Sequence, residues 1–82
     1  MFNVYILYSR QIDKYYVGQT ENLEGRLQSH LLGISGFTSK ATDWIVVYQE
    51  AFATRADAIR RENEIKRKKS RKYITWLIQR KK

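Results

Sequence analysis

Phe2 to Ser9 and Tyr15 to Gln19 are two runs rich in aromatic and β-branched residues, separated by the polar break Gln11-Ile12-Asp13-Lys14. That pattern predicts an antiparallel hairpin. With the turn centred on Ile12 and Asp13, Tyr5 falls opposite Thr20, Leu7 opposite Gly18 and Ser9 opposite Tyr16, and opposed residues share a face. Tyr5, Tyr16 and Gly18 then project from one side. Val4, Ile6, Tyr8, Tyr15 and Val17 project from the other, which is the better packing surface. Gly18 leaves space beside Tyr5. Both tyrosines also read as ordinary residues of an amphipathic strand.

Beyond the hairpin the hydrophobic spacing changes. Leu23, Leu27 and Leu31 recur every fourth residue, with Asn22 as N-cap and Gly33 as terminator, which predicts a short amphipathic helix whose buried stripe is flanked by Arg26 and His30. Residues 33 to 43 read as a loop. Trp44-Ile45-Val46-Val47-Tyr48, continuously apolar, predicts a central strand buried on both sides. Thr54 with Asp57 resembles a capping box and opens a helix from about Arg55 to Lys68. On that helix Ala56, Ala58, Ile59 and Ile65 define an apolar arc that contains Glu62, whereas Glu64 points to solvent. Ser70 caps a last helix packed through Tyr73, Ile74, Leu77 and Ile78; Trp76 reads as a packing residue ahead of the alternative, a base-stacking one. The elements run β-β-α-β-α-α, an α+β arrangement.

A carboxylate on a core-facing arc is costly to desolvate unless it meets a cation, a metal or several donors. For Glu62 two readings stand open: a structural salt bridge to Arg26 or another buried arginine, and a metal ligand.

The chain has 82 residues, no proline and no cysteine, and no repeat or linker divides it. It predicts a single domain, 1–82, burying roughly 60 to 65 per cent of its unfolded surface. Hydrophobic residues make up 43%, enough for an ordinary core. Without cysteine there is neither a disulfide framework nor a thiolate zinc site. No apolar run approaches the roughly 18 residues that cross a bilayer, so the expectation is a soluble, cytoplasmic protein with no membrane partner.

Charge sharpens the picture. The net charge is +8, yet residues 1–54 hold four Lys/Arg against five Asp/Glu, and residues 55–82 hold twelve against three. Lys66, Arg67, Lys68, Lys69, Arg71 and Lys72 form the densest stretch. A basic face of this kind suits phosphate backbones, because each neutralised phosphate releases condensed counterions. A solvated basic tail that serves only solubility is the competing reading.

Asn3-Val4-Tyr5, ten intervening residues and Tyr16-Val17-Gly18 together resemble the signature of the GIY-YIG nuclease superfamily. Thr20, the helix start at Asn22-Leu23, Arg26, His30, Gly36-Phe37-Thr38, the Trp44–Tyr48 strand with Glu50 behind it, and Arg55-Ala56 leading to Glu62 and Ile65-Lys66 follow in matching order. The resemblance covers essentially the whole chain and is to small stand-alone, UPF0213-like members similar to the amino-terminal domain of the repair nuclease UvrC. Asn3 and Val4 stand where the signature has glycine and isoleucine. The supporting asparagine of larger members has no assigned counterpart, and Asn63 is not given that role.

The resemblance implies a small antiparallel three-stranded sheet flanked by helices. It also implies hydrolysis of DNA phosphodiester bonds in repair or recombination, with one Mg²⁺ or Mn²⁺ held by Glu62. Tyr5 would be the general base, its pKa lowered by Arg26, which would also clamp the phosphate. Tyr16 would orient water or phosphate and His30 would help move the Tyr5 proton. The basic stretch from Lys66 to Lys72 would track the strand without reading bases. The expected partner is DNA; the chain would act as a monomer or weak homodimer, with specificity supplied by dimerisation or a protein partner. The rival expectations are a catalytically weak nucleic-acid-binding accessory protein and a small RNA- or ribosome-associated protein.

Overall fold

A computed structural model describes residues 1–31, 39–68 and 70–80. Two strands, β1 (Phe2–Ser9) and β2 (Lys14–Thr20), form the expected hairpin; α1 (Leu23–Leu31), β3 (Ile45–Phe52), α2 (Arg55–Lys68) and α3 (Arg71–Arg80) follow. The sheet is three-stranded and wholly antiparallel, in the order β2-β1-β3. The chain therefore has the α+β architecture its pattern predicts. Gly33 and Gly36-Phe37-Thr38 lie outside the described residues, as does Lys69.

β1 is the central strand, because Val4, Tyr5, Ile6 and Leu7 are each at most 1% exposed and bury both faces of the sheet. The prediction had given that place to β3, which is an edge strand with Ile45 more than half exposed. The apolar run in β3 has a different cause. Ile6 pairs with Tyr48 and Leu7 with Val46, so Val47 is an extra residue in a β-bulge. The bulge sends Val46 to one core cluster and Val47 to the other.

The hairpin register also differs from the prediction, by two residues. Tyr5 faces Gly18, Leu7 faces Tyr16 and Ser9 faces Lys14 across a four-residue loop that ends at Asp13, whose φ of 52° lies in the left-handed region. Tyr8 and Tyr15 pair across the strands at 4.9 Å between ring centroids, and the Tyr8 hydroxyl donates to Asp13 Oδ1 at 2.7 Å. A slip of two leaves every side chain on its predicted face.

Each face of the sheet carries its own cluster. Tyr5, Leu7, Ala41 and Trp44 pack with Leu23 and Leu27 of α1; Val4, Ile6, Val17 and Tyr48 pack with Ala58 and Ile65 of α2 and Leu77 of α3. All three predicted caps are present. Asn22 Oδ1 accepts from Gly25 N at 3.1 Å, Thr54 Oγ1 from Asp57 N at 3.2 Å and Ser70 Oγ from Tyr73 N at 3.2 Å. The buried arc of α2 centres on Ala58 and Ile65; Ala56 and Ile59, both expected inside it, are exposed, Ile59 by 39%. The arc is thus turned so that Arg61 and Glu62 flank it on opposite sides.

Candidate active site

The Tyr5 side chain leaves β1 on the α1 face and crosses toward Gly18, where no side chain blocks it. Tyr16, two residues earlier on β2, shares that face, with its ring centroid 6.3 Å from that of Tyr5. The third ring is contributed by α1. His30 Nε2 and the Tyr5 hydroxyl share a hydrogen bond of 3.0 Å, and the imidazole centroid is 5.0 Å from the Tyr16 ring. His30 is fully buried, whereas the sequence placed it at the flank of the stripe. It takes the central position because the Tyr5 hydroxyl offers it a hydrogen-bonding partner there.

Arg26, one helical turn before His30, is exposed at the rim, within hydrogen-bonding reach of the Tyr5 oxygen. Burial pushes the Tyr5 phenol up to about 12, against the lowering effect of Arg26; Tyr16 and Glu62 raise it further. The expectation of a lowered Tyr5 pKa is therefore reversed, since desolvation outweighs one exposed guanidinium. His30 moves the other way. Burial, then the positive charge of Arg26, holds it below its ordinary 6.5, so it is neutral at pH 7.

Glu62 comes from α2, on the opposite face of the sheet, and its charge acts on Tyr5. β2 is an edge strand of the sheet, and α2 packs against both it and β1. The Glu62 side chain is only 16% exposed and its Oε2 lies 2.6 Å from Lys66 Nζ, so its cation is Lys66 rather than the Arg26 of the structural reading. Among the described residues no group of three or more His, Cys, Asp or Glu is positioned to hold a metal. Glu62 alone offers one hard oxygen donor. That fits Mg²⁺ or Mn²⁺, which bind through one or two carboxylates with water and substrate phosphate completing the shell, and does not fit zinc.

The basic stretch is divided. Lys66 holds Glu62, Lys68 lies over the Tyr73 ring at 5.3 Å, and Arg71 pairs with Asp13 and stacks on Tyr15 at 5.2 Å. Arg71 thereby ties α3 to the hairpin loop. Arg67 and Lys72 are exposed.

Sequence reasoning missed Arg61. Its Nε donates to Glu50 Oε1 at 3.0 Å and one of its terminal nitrogens to the Tyr73 hydroxyl at 3.2 Å, while the Tyr48 hydroxyl donates to the same Glu50 oxygen at 3.0 Å. This network fixes α2 to β3 and α3. Its only sequence signal was the place of Arg61 beside Ala58 and Ile65 on the helical wheel.

An α+β fold with helices on both faces of its sheet brings two phenols, an imidazole and a guanidinium together, with the charge of one carboxylate acting from the other face; these are parts that can handle a phosphate. Residues 1–74 match the family described as the GIY-YIG catalytic domain. The chain belongs to the GIY-YIG family. It is also 40% identical, over 52 residues, to a UPF0213 protein of Staphylococcus haemolyticus (strain JCSC1435). That stretch is 62% of this chain and 63% of the relative, so the match spans less than two thirds of the relative's length. No solved structure matches the chain.

Proposed function

We propose that this chain is a metal-dependent DNA endonuclease that hydrolyses phosphodiester bonds at the edge of β2, serving repair or recombination. The observation that carries the reading is the Tyr5 oxygen: it meets His30 Nε2 at 3.0 Å, lies beside the exposed Arg26, and feels the charge of Glu62. Family membership supports the reaction class. Glu62 would hold Mg²⁺ or Mn²⁺, which would supply polarisation of the phosphate and stabilisation of the departing 3′ oxygen.

The side chains divide the remaining work. Arg26 is exposed and takes the non-bridging phosphate oxygens. Tyr16 orients the attacking water. A phenol held near 12 is scarcely ionised at pH 7, so Tyr5 acts as a relay: it accepts a proton from water as its own proton passes to Nε2 of neutral His30. The resulting hydroxide forms the bond to phosphorus and the bond to the 3′ oxygen breaks. Lys66, paired with Glu62 at 2.6 Å, would be released to a phosphate if Glu62 held such an ion.

A second reading, a catalytically weak nucleic-acid binder, draws on the raised Tyr5 phenol. One experiment separates the two: supercoiled plasmid is incubated with the protein and Mg²⁺, beside Glu62→Ala and a chelator control. Nicking lost in both controls is expected. No cutting of plasmid, forks, flaps or single strands, with nucleic-acid affinity unchanged in the variant, establishes the binder instead.

A further inference from the structure

Trp44 and Trp76 have opposite fates. Trp44 is 2% exposed in the core, whereas Trp76, read from the sequence as a packing residue, is 49% exposed on the outer side of α3. The apolar face of α3 is already used: Leu77 is buried, and Tyr73, Ile74 and Ile78 pack beside it. The indole therefore contributes little to holding the helix on the sheet.

It is nonetheless held in place. The Tyr73 and Trp76 rings are stacked at 5.8 Å between centroids with 26° between planes. The Tyr73 hydroxyl is fixed by Arg61, which is itself fixed by Glu50. The guanidinium of Arg80 lies 4.9 Å over the indole. α3 carries Arg71, Lys72 and Arg80 and no acidic residue, and shallow depressions on either side of Trp76 are lined by Lys72, Tyr73, Thr75 and Gln79. An exposed, anchored aromatic surface set among cations is complementary to a ligand with flat apolar rings and negative charges.

We propose that Trp76, supported by Tyr73, is a stacking platform for an unpaired base, so that the nucleic acid recognised by this chain carries a single-stranded segment. The inference rests on the nucleic-acid part of the proposed function and not on catalysis. A base offers a π-face of the right size, and its neighbouring phosphates meet Lys72 and Arg80, which turns from the indole to the backbone. Paired bases are stacked within a duplex and leave only phosphates to bind. A lipid surface fits less well, because Thr75, Gln79, Lys72 and Arg80 surround a single apolar side chain. The platform lies on α3, whose buried side joins the cluster on the sheet face opposite that of Tyr5. Branched or tailed substrates offer unpaired bases.

The test is a salt-matched titration of the full chain with oligo(dT) and oligo(U) of about 10 nucleotides, and with a duplex of equal phosphate number. Wild type, Trp76→Ala and Trp76→Phe are compared, with thermal melts confirming that each variant is folded. Quenching of indole emission by a single strand but not by the duplex is expected. Trp76→Ala should lose about tenfold in affinity for oligo(dT), oligo(U) or both, Trp76→Phe less, and duplex affinity should be retained. Equal single-strand affinities of wild type and Trp76→Ala, or equal losses on single strand and duplex, overturn the platform. A wild type that nicks plasmid while giving either of those results loses the platform and keeps the nuclease. Failure of the wild type to bind any nucleic acid removes both. Binding to anionic vesicles that depends on Trp76, without a single-strand effect, assigns the surface to a membrane and overturns the proposal.

Discussion

The hydroxyl oxygen of Tyr5 sits against Gly18, its cross-strand partner, so closely that a methyl group on Gly18 would lie 2.6 Å from that oxygen and 2.8 Å from the ring carbon bearing it. Tyr5 is 1% exposed and hydrogen-bonded to His30, so its ring has no room to swing aside. Gly18→Ala is expected to destabilise the chain by about 1–3 kcal/mol through overpacking. It should also reduce plasmid nicking at temperatures where the variant remains folded. Thermal melts read beside the nicking rate check both; a variant with native stability and full activity would mean the contact is slack.

The proposed relay through His30 predicts a particular pH dependence. His30 must be neutral to accept the proton, and its pKa lies below 6.5 because of burial and Arg26. Activity should rise with pH through the acidic range and level off by neutrality. In His30→Gln no acceptor remains, so Tyr5 must ionise and the rate should climb about tenfold per pH unit toward the phenol value. Rate profiles of the two proteins decide the point. A wild-type profile that keeps climbing in alkali would assign the work to the Tyr5 phenolate itself.

Arg61 joins three elements from a side chain only 19% exposed. Replacing it with methionine leaves the Glu50 carboxylate and the Tyr73 hydroxyl without their cation, a loss of about 2 kcal/mol for a partly buried group. Urea unfolding of Arg61→Met, Glu50→Gln and the double variant measures the coupling. The double variant should be more stable than the sum of the single losses implies.

The hairpin loop is fastened by an acid-sensitive clasp. Asp43 Oδ1 accepts from the buried Ser9 hydroxyl at 2.6 Å and Oδ2 from Gln11 N at 3.0 Å, which hold the carboxyl below its ordinary 3.8. Its stabilising effect is complete above that value and is lost as pH falls through the depressed one. Asp43→Asn should lower the melting temperature at pH 7 and reduce the further drop on acidification. A smaller drop should persist, because Asp13, paired with Tyr8 and Arg71, is lowered in the same direction. Melts at neutral pH and near pH 3 test this.

Much of the site was legible because alternation along a strand is a local property. Tyr5, Tyr16 and Gly18 were assigned to one face from their parity, and the two-residue error in register left that assignment intact. Asn22, Thr54 and Ser70 were legible as caps because a cap acts on backbone groups two or three residues away. Ile59 and Glu62 lie on the same helix, yet the wheel alone could not say which was turned inward.

The sequence by itself determined the order of the elements, the faces their side chains take and the concentration of positive charge in residues 55–82. Tertiary structure decided that β1 rather than β3 is central, that His30 is buried against Tyr5, that Glu62 pairs with Lys66 on the opposite face, and that Trp76 is left outside. Periodicity reports how one segment divides apolar from polar. Which segment covers it, and which charge its carboxylate or phenol meets there, depends on contacts between residues far apart in the chain.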